Sequence, residues 1–330
     1  MKVPVYHEAD ADLSIIQKKR VAFIGYGNQG AAQAKNLRDS GVQEILIGNI
    51  EDSYKTAALA DGFRVVSIPE AAAWGDVLFL LIPDEDQPQV FREQIAPHLR
   101  PGTTLVVASG YNVAFHLLTV PDQIDIIMVA PRMVGAAVRE LYVKKESYPC
   151  FVSVERDVSG NALPLALSIA RGIGATRGGA IQSSALEEAA LDLLSEQAIW
   201  PAIFVIFQKA YEVLHEAGFS DEAILHELYL SGEPAEIFKL VGERGLFGQL
   251  PFHSHTSQYG QLRGMLADDG EWARQKIKRV LEDSILSGNF AREWSDVQAK
   301  GLEKLEQLRS EALSSPVAQA EKRVMQEKGD

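Results

Sequence analysis

The stretch that decides the fold runs from Arg20 to Leu37 and reads RVAFIGYGNQGAAQAKNL. Its apolar start, Arg20–Ile24, predicts a buried strand, and the residues from Ala31 onward predict a helix. Between strand and helix stands the glycine pattern G-x-G-x-x-G, as Gly25-Tyr26-Gly27-Asn28-Gln29-Gly30. Its first glycine permits a tight turn, its second lets the backbone approach a pyrophosphate, and its third lets the helix pack closely on the strand. The stretch therefore predicts a dinucleotide-binding site.

Short apolar runs alternate with helix-like stretches up to about residue 182. Such runs fit strands that are covered on both faces, and the helical connections favour right-handed parallel crossovers. Beyond that point the pattern is helical almost to the end, with an apolar stripe that includes Leu186, Leu194 and Ile199. We therefore predict an α/β fold, a Rossmann-like doubly wound parallel sheet, in residues 1–182 and an all-α domain in residues 183–330. The predicted strands are Arg20–Ile24, Ile45–Gly48, Asp76–Ile82, Thr104–Ala108, Asp125–Ala130 and Phe151–Val154.

The composition argues against several classes of partner. The chain has 330 residues, with 32 basic and 45 acidic side chains, and a formal net charge of −13. Such a chain repels phosphate backbones and anionic lipid surfaces, so we expect neither nucleic-acid nor membrane binding. The longest apolar run, Ala198 to Phe207, is too short for a membrane span and contains Pro201. Cys150 is the single cysteine, which excludes an internal disulfide and fits a cytoplasmic setting.

The loop after the second predicted strand bears on the choice of cofactor. It reads Gly48-Asn49-Ile50-Glu51-Asp52-Ser53 and stands where this fold presents side chains to the adenosine ribose. Glu51 or Asp52 would accept a hydrogen bond from a ribose 2′-hydroxyl and repel a 2′-phosphate, and no Arg or Lys stands within the loop. NAD(H) is therefore favoured over NADP(H). The alternative is that one of the two acids caps the helix that begins near Ser53.

Carboxylates in the helical half suggest metal chemistry. Asp192 and Glu196 are four residues apart, which places them on one face of a helix within reach of a hard cation such as Mg²⁺. The alternative is an ordinary solvated pair on a surface helix. Glu227, Glu233 and Glu236 lie on the next predicted helices and are equally ambiguous.

Ser254 lies between two histidines in a polar segment, His253-Ser254-His255. A serine beside histidines suggests nucleophilic catalysis, but no G-x-S-x-G turn accompanies it. A helix N-cap, or a hydroxyl that anchors a substrate, is the favoured role.

Nearly the whole chain resembles the ketol-acid reductoisomerase family, in its short form with one helical domain. The resemblance is carried by a series of motifs that occur in the family's order, so chance is not a serious rival. These motifs are Ala9–Ser14, Gly25–Gly30, Asn36–Gly41, Ile82–Asp84, Met128–Pro131, Ser159–Ala162, Gly172–Arg177, Asp192–Gln197, Thr256–Gly260 and Phe290–Trp294.

The resemblance implies a reaction, two cofactors and an assembly. The family carries out an Mg²⁺-dependent alkyl migration in a 2-hydroxy-2-methyl-3-keto acid, then hydride reduction by a nicotinamide, in branched-chain amino-acid synthesis. The resemblance implies that Asp192 and Glu196 are metal ligands and that Ser254 hydrogen-bonds to the substrate carboxylate. It also implies a homodimer whose knotted helical domains complete each other's active sites, with higher oligomers allowed. The expected cofactor-binding residues are Gly25, Tyr26, Gly27, Asn28, Gln29, Gly30, Asn49, Glu51, Asp52, Ser53, Ile82, Pro83, Asp84, Ser109 and Gly135.

Two departures from the family pattern fall in the first domain. Ser109, followed by Gly110-Tyr111-Asn112, stands where the family typically has a histidine, so a titratable imidazole becomes a small hydroxyl. Arg132 stands where the family has a lysine, so a compact ammonium becomes a planar fork of donors.

A third departure affects the family's second pair of metal-site glutamates. Counting back from Ser254 places them at Tyr229 and Glu233, whereas counting forward from Gly218 places the first at Glu227. Glu233 is favoured as the proton relay or remaining ligand, with Glu227 in reserve.

These departures favour a repurposed member of the family. Such an enzyme would act with NAD(H) on a 2,3-dihydroxy or 2-hydroxy-3-keto acid. One divergent relative that the chain resembles is the cyclopropanol-forming enzyme of malleicyprol-type biosynthesis, which uses a sulfonium dihydroxy acid. The alternatives are an ordinary ketol-acid reductoisomerase and a non-catalytic NAD-binding regulatory protein. The expected catalytic residues are Asp192, Glu196, Glu233, Arg132 and Ser109, of which Asp192, Glu196 and Glu233 are also the expected metal ligands. The expected substrate-binding residues are Ser254 and Glu233.

Overall fold

The structure, a computed structural model, describes residues 2–327 and divides into two compact units. The first unit is Met1–Asp192 and the second is Leu193–Asp330. The sequence-based boundary at residue 182 marks the end of the sheet, whereas the division between the units falls within the helical stretch that follows. The first residues of that stretch are bonded to the sheet unit, because the Ala185 N–H donates to Glu155 of the sheet and Glu188 accepts the Gly110 N–H.

The first unit contains one sheet. Its strands are β1 (Val5–Tyr6), β2 (Val21–Ile24), β3 (Ile45–Gly48), β4 (Arg64–Val66), β5 (Val77–Leu80), β6 (Thr104–Val107), β7 (Asp125–Pro131), β8 (Cys150–Arg156) and β9 (Ala180–Gln182). Their order in the sheet is β1-β9-β8-β7-β6-β5-β2-β3-β4. The segment from β4 to β7 is parallel throughout, which confirms the predicted doubly wound core.

The predicted doubly wound parallel sheet is extended at one side by antiparallel pairs, so the whole sheet is mixed. β8 runs antiparallel to β7, and β1 runs antiparallel to β9. Three strands escaped prediction, Val5–Tyr6, Arg64–Val66 and Ala180–Gln182, because two or three residues are too short to show a hydrophobic period.

Helices cover both faces of this sheet, as its continuous apolar strands require. Val21, Phe23 and Phe79 belong to the buried cluster on one face, where the two phenyl rings stack at 4.4 Å, and Ala22 and Leu78 belong to the cluster on the other. The α-helices are α1 (Ser14–Gln17), α2 (Asn28–Asp39), α3 (Ser53–Ala60), α4 (Ile68–Trp74), α5 (Gln87–Val90), α6 (Tyr111–Ala114), α7 (Gly135–Lys144), α8 (Ala162–Ile173) and α9 (Ala185–Leu194). A π-helical turn at Phe91–Ile95 and 3₁₀ turns at Glu8–Asp10, Ala96–His98 and Ala175–Arg177 complete the unit.

The second unit is helical throughout its described residues, as predicted. Its buried core joins Tyr211, Ile224 and Leu225 to Ala320 and Val324 near the C-terminus. The α-helices are α10 (Trp200–Glu216), α11 (Asp221–Leu225), α12 (Glu233–Arg244), α13 (His255–Ala267), α14 (Glu271–Arg279), α15 (Asn289–Ala299), α16 (Glu303–Leu313) and α17 (Pro316–Glu327). Between them lie π-helical turns at Ser195–Ile199, His226–Leu230 and Val280–Leu286 and a 3₁₀ turn at Leu250–Phe252.

One helical stretch, Ala185–Glu216, is long and apolar enough to cross a membrane by length and composition alone. It is longer than the apolar run found in the sequence because helix continues on both sides of that run. This is weak evidence for a span, since the core helix of a soluble protein meets the same criterion. The expectation of no membrane partner therefore stands as an expectation.

Asp76 ties together the edge of the sheet at which the parallel strands begin. Its carboxylate accepts hydrogen bonds from Nη2 of Arg20 at 2.8 Å and from Nη2 of Arg100 at 2.9 Å. It also accepts the backbone N–H of Arg20, the residue before β2, at 3.1 Å. The hydrogen bonds from Arg20 hold the pKa of Asp76 well below its usual value.

We therefore expect Asp76→Asn to lower the free energy of unfolding at pH 7 by about 1–2 kcal/mol, a figure discounted because the carboxylate is partly exposed. A depressed carboxyl pKa contributes stability above the unfolded-state pKa of about 4, and this contribution is lost as the pH falls below it. The difference in unfolding free energy between the wild type and Asp76→Asn should therefore become smaller in acid. Urea unfolding at several pH values measures this difference. Asp122→Asn, at an exposed carboxylate 3.5 Å from Arg156, is the control and should change little. Equal stability of Asp76→Asn and the wild type at pH 7 would contradict this account.

Candidate active site

The glycine turn lies at the point where the order of the parallel strands reverses. β2 pairs with β3 on one side and β5 on the other, so the loops after these strands meet at one edge of the sheet. Gly25 follows β2 with φ +95°, and a Cβ there would lie 2.8 Å from both the Leu81 carbonyl oxygen and Cγ2 of Ile82. Only glycine fits this bend, because the loop after β5 presses directly against it.

The other two glycines of the motif behave as the sequence predicts. A Cβ on Gly30 would lie 2.4 Å from the carbonyl oxygen of Gly25, so α2 can approach β2 only without a side chain there. A Cβ on Gly27, the residue before α2, would meet nothing within 4 Å. The backbone of Gly27 therefore borders open space at a helix N-terminus, as a pyrophosphate site requires.

A second helix N-terminus adjoins the first. Gly135 is the first residue of α7, and a Cβ there would lie 2.3 Å from the carbonyl oxygen of Asn28, the first residue of α2. The Gln29 side chain donates to the Met133 carbonyl oxygen at 3.0 Å and so fastens α2 to the loop before α7. The positive ends of two helix dipoles therefore converge near the glycine turn, which favours an anion.

Tyr26 serves the fold rather than the open face of the turn. Its ring is 2% exposed, and its hydroxyl donates to Oδ2 of Asp61 at 2.8 Å. Burial raises the pKa of the Tyr26 phenol. Of the expected cofactor residues, Tyr26 could therefore contribute its backbone and not its side chain.

The two acids of the loop Gly48–Ser53, Glu51 and Asp52, have different roles. Asp52 caps α3, accepting the backbone N–H of Lys55 at 2.9 Å, and it also accepts Nδ2 of Asn49 at 2.8 Å. The expected helix cap is therefore Asp52, and Ser53 is the first residue of the helix. Glu51 is 86% exposed and forms an ion pair with Nζ of Lys55. The loop itself lacks a cation, as the sequence shows, but the helix brings one to it, which the sequence argument overlooked.

Ser109 and the segment Ile82-Pro83-Asp84 come together after β5 and β6. The Ser109 hydroxyl donates to Oδ2 of Asp84 at 3.4 Å. Asn112 donates to the Asp84 carbonyl oxygen at 2.9 Å and to Oε1 of Gln87, whose own amide donates to the Ile82 carbonyl oxygen at 2.9 Å. These bonds hold the two loops in one arrangement, and Gln87 and Asn112 are positioning residues that the sequence did not single out.

Arg132, directly after β7, bridges two carboxylates of α9. Its Nη1 donates to Oε1 of Glu188 at 2.6 Å, and its Nη2 donates to Oδ1 of Asp192 at 2.8 Å. The Glu188 side chain is 3% exposed and the Asp192 side chain 50%. The guanidinium also lies over the ring of Phe151, 5.0 Å from its centroid. Arg132 and Asp192, both expected in the site, are thus brought together.

Glu188 is the site residue that the sequence argument missed. Its Oε1 pairs with Arg132, and its Oε2 accepts the backbone N–H of Gly110 at 2.7 Å. Burial raises the pKa of the Glu188 carboxyl, against the lowering by the Gly110 hydrogen bond and the charge of Arg132. A signal was present in the spacing, because Glu188 lies four residues before Asp192 and thus on the same helix face.

The remaining expected residues belong to the second unit. Glu196 lies in the π-helical turn Ser195–Ile199. Glu227 and Glu233 are exposed, and Gly232 at φ +86° separates Glu233, the first residue of α12, from the turn that contains Tyr229. Positions 229 and 233 therefore do not share one regular helix.

Tyr229 and Ser254 each have a clear local role in that unit. The Tyr229 hydroxyl donates to Oε1 of Glu321 at 2.5 Å, which ties it to α17. The Ser254 hydroxyl accepts the backbone N–H of Ser257 at 3.2 Å, so it is the N-cap of α13, one of the two roles expected.

The donor chemistry of the expected metal residues fits Mg²⁺. This ion takes oxygen ligands, is often held by one or two carboxylates and keeps several waters. Asp192 offers a half-exposed carboxylate, and Glu196 supplies a second one four residues along the chain. Across residues 2–327, no group of three or more His, Cys, Asp or Glu side chains is placed to hold a metal ion.

A glycine turn at the reversal point of a doubly wound sheet, with charged side chains at neighbouring strand ends, is typical of NAD(P)-dependent oxidoreductases. The family models agree on the particular kind. Residues 15–179 match the NADPH-binding domain of acetohydroxy acid isomeroreductase, and residues 186–328 match the C-terminal domain of ketol-acid reductoisomerase. The chain belongs to the ketol-acid reductoisomerase family, whose members are oxidoreductases and isomerases of branched-chain amino-acid synthesis.

Individual relatives extend over nearly the full chain. A putative ketol-acid reductoisomerase 3 from Saccharolobus solfataricus is 42% identical over 320 residues, with 95% of each chain covered. A ketol-acid reductoisomerase (NADP(+)) from Pyrobaculum calidifontis is 40% identical over 315 residues, with the same coverage. A solved NADH-preferring ketol-acid reductoisomerase from an uncultured archean is 31% identical, covers 98% of both chains and has a TM-score of 0.89.

Gly27→Ala is expected to weaken NADH binding at least about tenfold without loss of thermal stability. The added methyl group meets no protein atom and the backbone at φ −71° suits alanine, so only the approach of the pyrophosphate is obstructed. NADH titration by fluorescence and a melting curve measure the two effects. In contrast, Gly25→Ala should lower the melting temperature, because its φ and its neighbours exclude a side chain. Unchanged NADH affinity in Gly27→Ala would contradict the assignment of the turn.

Proposed function

We propose that the protein is an ordinary ketol-acid reductoisomerase that converts acetolactate to 2,3-dihydroxyisovalerate in the cytoplasm. The observation that carries this proposal is the match of both domains to the family, joined to the cluster of Arg132, Glu188 and Asp192 at the strand edge. We also propose that residues 1–182 form the nucleotide domain and residues 183–330 the helical domain. The two family models, which end at residue 179 and begin at residue 186, support that boundary.

In the proposed reaction, a bound Mg²⁺ would polarise the ketone and hydroxyl oxygens of the substrate, and NADH would supply the hydride. Asp192 and Glu196 would hold the metal ion. Glu188 keeps Arg132 oriented through an ion pair whose carboxylate is almost fully buried. From the family resemblance, Ser254 would bind the substrate carboxylate, and Glu233 would relay a proton or act as a further metal ligand.

The comparisons favour this ordinary reaction over the repurposed one. Relatives named ketol-acid reductoisomerase cover 95% of the chain, whereas no comparison points to a cyclopropanol product. The departures at Ser109, Arg132 and Tyr229 had favoured the repurposed enzyme. In this structure, however, Ser109 and Arg132 both lie after strands of the same sheet edge, and each donates a hydrogen bond to an acid, Asp84 and Asp192 respectively.

We further propose that NADH is preferred to NADPH. An exposed Glu51 can accept a ribose 2′-hydroxyl and would repel a 2′-phosphate, and the solved relative described above is NADH-preferring. The ion pair between Glu51 and Lys55 tempers this preference, because the ammonium could meet a phosphate instead.

We also propose a homodimer, on the evidence of the apolar surface of α10. Phe204, Ile206 and Val213 are 63%, 54% and 64% exposed in the single chain. Exposed apolar surface of this extent marks an interaction site, and a second copy that shares its active sites would cover it. Light scattering should give at least the mass of two chains, and a monomer at micromolar concentration would rule the dimer out.

Turnover of acetolactate is the direct test of the reaction. Purified protein with Mg²⁺ and NADH should consume the cofactor on addition of acetolactate, and Asp192→Asn should lower the rate about 100-fold or more by removing a metal ligand. Asp122→Asn, a matched change at an exposed carboxylate of the same unit, should retain full activity. If the protein binds NADH yet leaves acetolactate unchanged, the ordinary reaction is excluded. If Asp192→Asn is fully active, the residue is not a metal ligand.

The cofactor preference is tested by the ratio of kcat/KM values with NADH and NADPH. We expect a ratio above one in the wild type, a fall of about tenfold in Glu51→Gln, and a rise in Lys55→Gln. The two variants remove opposite partners of one ion pair, so each serves as the control for the other. A wild-type preference for NADPH would contradict the assignment.

A further inference from the structure

Arg132 is held far more firmly at one of its two carboxylates than at the other. The bond to Glu188 is 2.6 Å long and joins an acid whose second oxygen is already taken by the Gly110 N–H. The bond to Asp192 is 2.8 Å long and joins a carboxylate that is half exposed. Breaking a buried pair is costly, whereas an exposed one contributes little. The guanidinium can therefore release Asp192 while it keeps its place on Glu188 and over Phe151.

The same carboxylate of Asp192 is the one proposed above to bind Mg²⁺. A divalent cation at Asp192 and a guanidinium donating to Oδ1 would share one acid at close range, and two cations that close repel each other. Arg remains charged at all relevant pH values, so deprotonation cannot relieve the repulsion. Its planar fork also spans two acids at once, which the single nitrogen of a lysine cannot do with the same geometry.

We propose that Arg132 is a built-in competitor for the cation at Asp192. Metal binding at Asp192 must then displace the guanidinium from Oδ1 or bring a second cation onto the same carboxylate, and either cost lowers the affinity of the free enzyme for Mg²⁺. This inference rests on the proposed function, because it takes Asp192 to be a metal ligand. Arg132 is in this respect a residue that sets metal affinity, apart from any contact it makes with substrate.

Metal binding without turnover tests the inference. We would titrate Mn²⁺, as the probe for Mg²⁺, into the wild type, Arg132→Lys and Arg132→Gln, and follow free Mn²⁺ by electron paramagnetic resonance. Arg132→Lys should bind Mn²⁺ about tenfold more tightly than the wild type, because lysine lacks the second nitrogen that reaches Asp192. Arg132→Gln should bind Mn²⁺ more tightly still, because it also removes the competing positive charge. Arg156→Lys, a matched change at an arginine paired with exposed Asp122, should bind as the wild type does.

Two further measurements separate the ways in which the inference can fail. NADH binding and the melting temperature show whether each variant is folded. Arg132→Lys is expected to stay folded, because the lysine keeps a positive charge beside the buried Glu188. If Asp192→Asn weakens Mn²⁺ binding but neither Arg132 variant strengthens it, competition is refuted and the metal assignment survives. If Asp192→Asn leaves Mn²⁺ binding unchanged, the metal assignment fails, and the competition fails with it.

Discussion

The parallel pairing of β2 with both β3 and β5 is the constraint on which the site depends. Because parallel strands end at the same edge of a sheet, this pairing brings together loops that are far apart in the sequence. The glycine turn after β2 then meets the loop after β5 closely enough to exclude any side chain at Gly25. The extension of the sheet through β6 and β7 places Ser109 and Arg132 along the same edge.

A buried acid completes this edge. Glu188 joins the loop after β6, through the Gly110 N–H, to Arg132 after β7, and it does so from a helix that follows the sheet in sequence. Burial disfavours the ionised carboxylate and raises its pKa, and the backbone donor and the arginine offset this effect in part. One consequence is that Asp192, four residues further along and half exposed, shares the same guanidinium. Three charged residues, Arg132, Glu188 and Asp192, are therefore paired at this edge, and Glu188 is the one that was not predicted.

The fold was largely predictable because its strands and helices follow from the local pattern of apolar residues. Each of the six predicted strands is present, with bounds shifted by at most a few residues, and the change to helix after the sheet is confirmed. The strand β8 was predicted, but its antiparallel direction was not, since an apolar run looks the same in either direction. The site was harder to predict, since residues such as Gln87, Asn112 and Lys55 acquire their partners only when loops or helical turns meet.

By itself, the sequence determined the class of fold, the glycine turn, the family and the identity of the acids available to the site. These follow from periodicity and from residue types at fixed spacing, which are local properties of the chain. The tertiary structure alone decided how charge is shared: Asp52 caps a helix while Glu51 pairs with Lys55, and Arg132 divides its fork between a buried and an exposed acid. The physical reason is that burial and hydrogen-bond partners determine how stable the charged form of a side chain is, and both depend on neighbours that are distant in sequence.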